Sequence, residues 1–191
     1  MGKKVWALTI AAVILVGLTV VCNSPTSTPA TPLPSSTLAL KANDVANWDS
    51  VPAPAFYSST SALAGYNNGD AYTFENIASY SDAMSQTMSS KTDNTFIYNG
   101  LTLSFSNSAN SDSVFNVRKR SKAPNPVVLS SATGSFAIGD TSVMQGITVF
   151  AHFHNLYIEF TLLHPSYANR ALAIAEAVKF IQIFENKVNG I

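Results

Sequence analysis

The stretch from Gly146 to Leu163 constrains the fold most, because two alternating apolar runs lie on either side of a two-residue turn. Apolar residues take the odd-numbered positions of Ile147–Phe153 and the even-numbered positions of Leu156–Leu162. If His154 and Asn155 form the turn, the two strands pair so that all of these side chains share one face. Asn tolerates the positive φ of a tight turn, so we assign that conformation to Asn155. The stretch therefore predicts a β-hairpin with one buried face.

Other strands and a short helix are predicted from turn signals and apolar spacing. Asn99-Gly100 predicts a tight turn that joins strands at Thr95–Tyr98 and Leu101–Phe105. Weaker patterns predict three further kinds of element: a hairpin around Asn67–Asp70, short strands at Val114–Val117 and Val127–Ser131, and a short helix at Ser81–Ser89.

A long C-terminal helix is predicted from Ser166 to about Val188. Pro165 precedes it, Ser166 can cap it, and Asn189-Gly190 can end it. Its apolar stripe suits a helix that lies across a sheet, and consists of Ala171, Ile174, Ala177, Val178, Phe180, Ile181 and Phe184. The order of elements predicts an α+β fold, an antiparallel sheet built from hairpins with a short helix and a long C-terminal helix packed on it.

The first 22 residues have the features of an export signal or a membrane anchor. Lys3 and Lys4 precede Val5–Val21, which has no charged side chain and is just long enough to cross a bilayer as a helix. Because such lysines stay cytoplasmic, we expect everything after Val21 to lie outside the cytoplasm. Cys22 stands where a lipoprotein carries its lipidated Cys, but a bulky Val precedes it. A single-pass signal anchor, a lipoprotein and a secreted form without its signal peptide all fit this segment.

Residues 23–40 are rich in Pro, Ser and Thr, a composition typical of an extended, solvated stalk. Residues 41–191 then have the usual length of one domain. The chain is thus predicted to have three parts: a signal anchor or lipoprotein-type signal at 1–22, a stalk at 23–40, and a single α+β domain at 41–191. Residues 5–21, or a lipid on Cys22, would attach it to the membrane with the domain outside the cytoplasm.

The composition excludes several classes of function. The formal net charge is zero and 12% of residues are charged, against roughly a quarter in an ordinary domain. A chain without excess positive charge is not expected to bind nucleic acid. The single Cys excludes an internal disulfide and a Cys-based zinc site. Gly65 and Gly69 are not followed by the Lys-Ser/Thr of a phosphate-binding loop, and we expect no cofactor.

One region resembles a known family. Ile138–Asp140, the turn at His154–Tyr157 and the helix after it are similar to the end of PsbP/Mog1-like exported domains, over about Ala137–Lys187. The resemblance implies a sheet with a helix packed on it. It also implies a binding or accessory role, since such domains are usually not enzymes.

Three residues near the hairpin are candidates for chemistry. His152, Glu159 and His164 could serve a metal-dependent or hydrolytic enzyme if they met in one site. His152 and His154 could also hold a metal if the strand were continuous, but the hairpin register places His154 in the turn and His152 on the face opposite the apolar set. It also places His164 at the far end of the hairpin. We therefore expect neither a metal site nor an enzyme.

Two further features point to binding. The basic run Arg118, Lys119, Arg120 and Lys122 could contact an anionic surface, such as lipid headgroups, or form a solvated loop. Aromatic residues in the first third could form a recognition face or simply cover the sheet, namely Trp48, Phe56, Tyr57, Tyr66, Tyr72 and Tyr80.

These features together predict an extracytoplasmic, membrane-tethered domain with a binding, accessory or envelope-structural role. Its partner would be an envelope protein or a small ligand. Besides the enzyme, the alternative is a self-assembling surface subunit, which would require an exposed, unpaired edge strand.

Overall fold

The computed structural model describes residues 31–41, 44–45, 53–67, 69–90, 95–123, 126–129, 132–138 and 145–190. These belong to one compact unit that begins at Thr31. Cys22, the apolar segment Val5–Val21 and Trp48 lie outside the described residues, as do Gly139 and Asp140. Among the residues that are described, none forms a helix both long and apolar enough to span a bilayer.

An antiparallel seven-stranded sheet forms the centre of the fold. Its strands in chain order are β1 Ala55–Tyr57, β2 Tyr80–Ser89, β3 Ile97–Phe105, β4 Pro126–Leu129, β5 Ala132–Ile138, β6 Gln145–Phe153 and β7 Leu156–His164. Their order across the sheet is β1-β2-β3-β7-β6-β5-β4. The helices are α1 Thr60–Tyr66, α2 Asp70–Ile77, α3 Ser108–Lys122 and α4 Arg170–Asn189, with short 3-10 turns at Ser35–Leu38 and Pro165–Ala168. The predicted α+β class is confirmed.

The β6–β7 hairpin has the predicted register, with Phe153 opposite Leu156 and Ile147 opposite Leu162. The apolar alternation fixed this register because a slip of one residue would move every side chain to the other face. The positive φ falls on His154, at 52°, and not on Asn155. The side chain of Asn155 is instead buried.

Apolar clusters cover both faces of the sheet. On one face α4 and the segment before β1 pack against β6 and β7, through residues that include Leu38, Leu40, Ile147, Ile158, Phe160, Leu162, Phe180 and Phe184. On the other face lie α1, α2 and α3, and the cluster includes Leu63, Phe74, Leu103, Val114, Phe150 and Tyr157. The fold therefore has three layers, and its sheet is buried on both sides.

The long C-terminal helix is confirmed with a later start. Ser166 lies in the preceding 3-10 turn, where it contacts the ring of His164. Asn169 caps α4 instead, since its Oδ1 accepts from the backbone N–H of Ala171 at 3.0 Å. The helix ends at Gly190 as predicted. Its buried side chains are Ala173, Ala177, Phe180, Ile181, Phe184 and Val188.

Two of the predictions for the segment between β1 and β3 are wrong. Ser81–Ser89 is not a helix but most of β2, where Ala83 packs on one face and Met88 on the other. With apolar residues on both faces, the alternation that marks a strand disappears from the sequence. Asn67–Asp70 is not a hairpin turn but the junction of α1 and α2, where Gly69 has a φ of 90°.

Asn99-Gly100, predicted as a turn, lies inside β3, with Gly100 paired to Gln86 and to Phe160. A Cβ on Gly100 would stand 2.6 Å from Cζ of Tyr98. The glycine therefore leaves space for the Tyr98 ring, which stacks on Phe180 with ring centroids 5.0 Å apart.

Val114–Val117, predicted as a strand, lies in α3. Val114, Phe115 and Arg118 are buried there at helical spacing. The predicted strand at Val127–Ser131 corresponds to β4.

The two edge strands are short in the part of the sheet that the structure describes. β1 has three residues. β4 has four, and it begins at Pro126, which has no N–H to donate. Val128 of β4 is 85% exposed. Short edges and an edge proline limit pairing between sheets, so the edges give little support to a self-assembling subunit.

The end of the predicted stalk is part of the packed body, because side-chain amides hold its backbone. Asn155 accepts from Leu33 N–H and donates to Leu33 C=O, both at 2.9 Å. The side chain of Gln86 likewise accepts from Leu40 N–H at 2.9 Å and donates to Leu40 C=O at 3.0 Å. We call Leu33–Leu40 the N-terminal strap. The packed body thus begins near Leu33 and not at residue 41.

Replacing Asn155 with Ala is expected to release the first half of the strap. The change removes four hydrogen bonds, two to Leu33, one to Ser104 and one to Phe105, and leaves buried partners unsatisfied. We expect the free energy of unfolding to fall by about 2 kcal/mol. Amide hydrogen exchange should speed up at Leu33 and stay slow at Leu40.

Gln86→Ala is the matched control for this prediction, since Gln86 holds the other end of the strap. It should speed up exchange at Leu40 and leave Leu33 protected. Unchanged exchange at Leu33 in Asn155→Ala would contradict the role of Asn155.

Candidate functional site

Arg118 is the centre of a buried ion-paired cluster on the α1–α3 face of the sheet. It projects from α3 and is 3% exposed. Its Nε and Nη2 donate to the two carboxylate oxygens of Glu159 on β7 at 2.8–3.0 Å. Its Nη2 also donates to Oδ2 of Asp70, the first residue of α2, at 3.1 Å. The guanidinium thus links α3 to the first residue of α2 and to the central strand β7.

Aromatic residues complete the surroundings of this cluster. Cζ of Arg118 lies 4.9 Å from the centroid of the Phe74 ring. The Tyr157 hydroxyl donates to Oε2 of Glu159 at 2.8 Å. Burial by itself would lower the pKa of Arg118, but Glu159, Tyr157 and Asp70 together outweigh it and raise the pKa above its ordinary value. The guanidinium stays charged and keeps both carboxylates in place.

A cavity of about 150 Å³ opens beside Arg118. Its walls come from the α1–α2 junction, from β3 and β7, and from α3. Phe74 and Leu101 line it as apolar residues, and the polar side chains that line it are Asn67, Asp70, Asn99, Arg118, Glu159 and Thr161. Tyr66 also lines the cavity and is 44% exposed.

Several polar groups of the cavity have no partner within the described ranges. Nδ2 of Asn67 is buried without a hydrogen bond, because Oδ1 of the same amide is held by the backbone N–H of Ala71 at 3.1 Å. The Asn99 amide, Oδ1 of Asp70 and Nη1 of Arg118 also form no hydrogen bond with another described residue. Of these four groups Nδ2 of Asn67 is the buried one, and buried polar groups are nearly always paired in folded proteins. The other three line the cavity, where they can also pair with a bound molecule.

The structure does not bring the three candidate catalytic residues together. Glu159 and His152 lie on the α1–α3 face, whereas His164 lies on the α4 face beside the ring of Phe96, 5.6 Å away between centroids. Glu159 is held by Arg118 and Tyr157. His152 packs on Phe115 and lies 3.5 Å from Asp112. Among the described residues, no group of three His, Cys, Asp or Glu side chains could hold a metal.

The basic run is helical and its members face different ways. Arg118 is buried, so the proposed contact of this residue with an anionic surface is wrong. Nζ of Lys119 lies over the Phe115 ring, 4.6 Å from its centroid. Arg120 and Lys122 are exposed near the end of α3, where positive charge complements the helix dipole. The run is thus neither a loop nor one continuous cationic surface.

Sequence reasoning missed Asn67, Asp70 and Asn99 as members of a site. The first two were assigned to a hairpin turn and the third to another, which hid their place on the cavity wall. The available signal was an Arg in an otherwise apolar helical stripe, because a buried Arg requires carboxylate partners elsewhere in the chain.

Stability is expected to fall above about pH 10 because two tyrosines are buried. Burial raises the pKa of the Tyr98 and Tyr157 hydroxyls well above the ordinary value, and Glu159 raises that of Tyr157 further. In the unfolded chain both hydroxyls lose their protons near pH 10, while in the folded protein they keep them. The unfolded state then binds fewer protons, so the free energy of unfolding decreases as pH rises, and these two hydroxyls contribute up to about 2.7 kcal/mol per pH unit to that slope.

Urea unfolding between about pH 9 and pH 11.5 measures this slope. Tyr157→Phe should reduce it by about half. Tyr72→Phe is the control, because Tyr72 is 53% exposed and should leave the slope unchanged. Equal slopes in the wild type and Tyr157→Phe would contradict the burial of Tyr157 as its cause.

Comparisons with known proteins give a distant structural likeness. No protein-family model and no curated protein sequence matches the chain. Among solved structures, the extracellular domain of PknH from Mycobacterium tuberculosis is similar, with a TM-score of 0.46 and 13% sequence identity, over 81% of this chain and 98% of that one. A likeness at this level establishes neither a family nor a function, and the resemblance to PsbP/Mog1-like domains stays a prediction.

Proposed function

We propose that this chain is an extracytoplasmic, membrane-tethered domain that binds a small ligand in the cavity beside Arg118. The observation that carries the proposal is the set of unpartnered polar groups on the cavity wall, above all the buried Nδ2 of Asn67. Leaving such a donor unsatisfied costs about 1–3 kcal/mol. A molecule that supplies an acceptor there can pair with this donor inside the protein.

The cluster around the cavity supports binding rather than catalysis. Asp70 and Glu159 both accept hydrogen bonds from Arg118. The hydroxyls of Thr161 and Thr148 form a hydrogen bond with each other at 2.9 Å. The groups are fixed in place, which favours recognition of a ligand.

The tether is supported by the amino-acid sequence. Lys3 and Lys4 followed by the uncharged Val5–Val21 favour a cytoplasmic N-terminus with the rest of the chain outside. The Pro-rich residues that follow would place the packed body a short distance from the membrane surface.

A thermal-shift screen of the full chain in detergent tests the binding function. The panel should contain neutral sugars, amines, carboxylates and phosphates. We expect one class to raise the Tm of the wild type and of Tyr72→Ala, and to have a much smaller effect on Tyr66→Ala, because Tyr66 lines the cavity and Tyr72 does not. A panel that shifts no Tm, or shifts all three proteins equally, would contradict the proposal.

Protease treatment of intact cells tests the location. We expect external protease to remove the packed body from protein that sediments with the membranes. Protein that is protected in intact cells and digested only after lysis would contradict an extracytoplasmic domain.

A further inference from the structure

We infer that the ligand is a saccharide, bound through the hydroxyl groups of one uncharged sugar ring. This inference rests on the proposed function and names the ligand class for the same cavity. The cavity is small. A volume of about 150 Å³ is below the range of roughly 300–1,000 Å³ that holds drug-sized ligands and cofactors. The cavity therefore suits a single small ring and not a nucleotide or a porphyrin.

The charged side chains around the cavity favour an uncharged ligand. Asp70 and Glu159 carry two negative charges against the one positive charge of Arg118, and all three line the cavity. The excess carboxylate disfavours an anion, such as a phosphate or a free carboxylate. A small cation would meet Nη1 of Arg118 and Nδ2 of Asn67, both of which are donors. An uncharged ligand avoids both repulsions.

The cavity wall offers both donors and acceptors. The four available groups are two donors, one acceptor and one amide that is both: Nη1 of Arg118, Nδ2 of Asn67, Oδ1 of Asp70 and the side chain of Asn99. A hydroxyl group donates one hydrogen bond and accepts others, so it can pair with a donor and an acceptor at once. The hydroxyls of a sugar ring therefore match a wall that carries both kinds of group.

An exposed tyrosine lines the cavity. Tyr66 is 44% exposed at the cavity, and its ring is held by Tyr57, with centroids 5.5 Å apart and planes tilted by 37°. A fixed, exposed tyrosine offers an apolar face at little entropic cost. The C–H face of a sugar ring can lie on it while the hydroxyls point inward.

Isothermal titration of the full chain tests this inference. The protein should be held in a detergent without a sugar headgroup, so that the detergent does not compete. The probes are glucose, galactose, mannose, arabinose and N-acetylglucosamine, with glucosamine, spermidine and inorganic phosphate as charged comparators. We expect saturable binding of at least one neutral sugar and weaker or no binding of the charged probes.

Three variants locate the site. Asn67→Asp removes the buried donor but keeps the oxygen that caps α2, and should weaken sugar binding about tenfold. Tyr66→Ala should weaken it by a similar factor. Asn76→Asp is the control, since Asn76 is exposed on α2 and does not line the cavity, and it should bind like the wild type.

The outcomes separate the sugar assignment from the binding function. If an amine or phosphate binds and Asn67→Asp alters that binding while no sugar binds, the sugar assignment is overturned and the cavity keeps its binding function. If no probe binds, and no compound of the wider panel shifts the Tm, both are overturned. Sugar binding that is unaffected by Asn67→Asp and Tyr66→Ala would overturn the assignment of this cavity.

Discussion

Arg118→Met is expected to lower the free energy of unfolding by about 3 kcal/mol. The change leaves Glu159 and Asp70 beside an apolar side chain, without the guanidinium that donates to both. Glu159 keeps only the Tyr157 hydroxyl as a donor in the cluster. Two carboxylates near each other without a cation repel, and partial burial strengthens the repulsion. The loss is below the largest measured values because Asp70 is 41% exposed.

Chemical denaturation measures this loss, and two neighbours on α3 serve as controls. Arg120→Met and Lys122→Met remove exposed charges and should change stability by less than about 0.5 kcal/mol. Adding Glu159→Gln to Arg118→Met should restore part of the stability, because it removes the unpaired carboxylate. A loss no larger than that of Arg120→Met would contradict a buried, ion-paired Arg118.

Phe160→Ala is expected to cost about 4 kcal/mol. Phe160 is fully buried on the central strand β7, and its ring contacts Tyr98, Phe180 and Phe184 at centroid distances of 5.6, 5.8 and 5.7 Å. Removing it leaves a cavity between the sheet and α4 that three rigid rings cannot fill without moving. The aromatic contacts are lost in addition to the buried area.

Urea unfolding with constant m-values measures the effect of Phe160→Ala. Phe160→Leu should cost clearly less, because it keeps most of the volume. Leu172→Ala is the control on α4, since Leu172 is half-exposed, and should cost less than about 0.5 kcal/mol. A loss below about 1 kcal/mol for Phe160→Ala would contradict the packing of α4 on this face.

The β6–β7 hairpin was predicted best, because each of its strands has one apolar face and its turn is short. The β6–β7 register followed from the apolar alternation alone. The class of the fold followed from this hairpin together with α4, which has a wide apolar stripe and clear end signals. β2 was misread as a helix because helices or the strap cover both of its faces. Asn99-Gly100 was misread as a turn because the glycine serves the Tyr98 ring, a contact that only the folded chain reveals.

The candidate site was predicted only in fragments. Arg118 and Glu159 were both singled out, but for unrelated reasons, since 41 residues separate them and no local pattern links them. Asp70 and Asn67 join them only because the α1–α2 junction packs over β3 and β7. Pairing across such distances depends on the topology of the sheet, which the sequence specifies through many weak preferences and not through a motif.

The most direct test of the binding cavity is the nitrogen–proton spectrum of the Asn side-chain amides during titration with the neutral sugars. Asn67→Asp and Asn99→Asp assign the two cavity amides. If the cavity binds the ligand, the Asn67 and Asn99 signals shift together and saturate, while the signal of exposed Asn76 stays in place. Unmoved Asn67 and Asn99 signals under conditions in which a ligand binds the protein would contradict the cavity as its binding site.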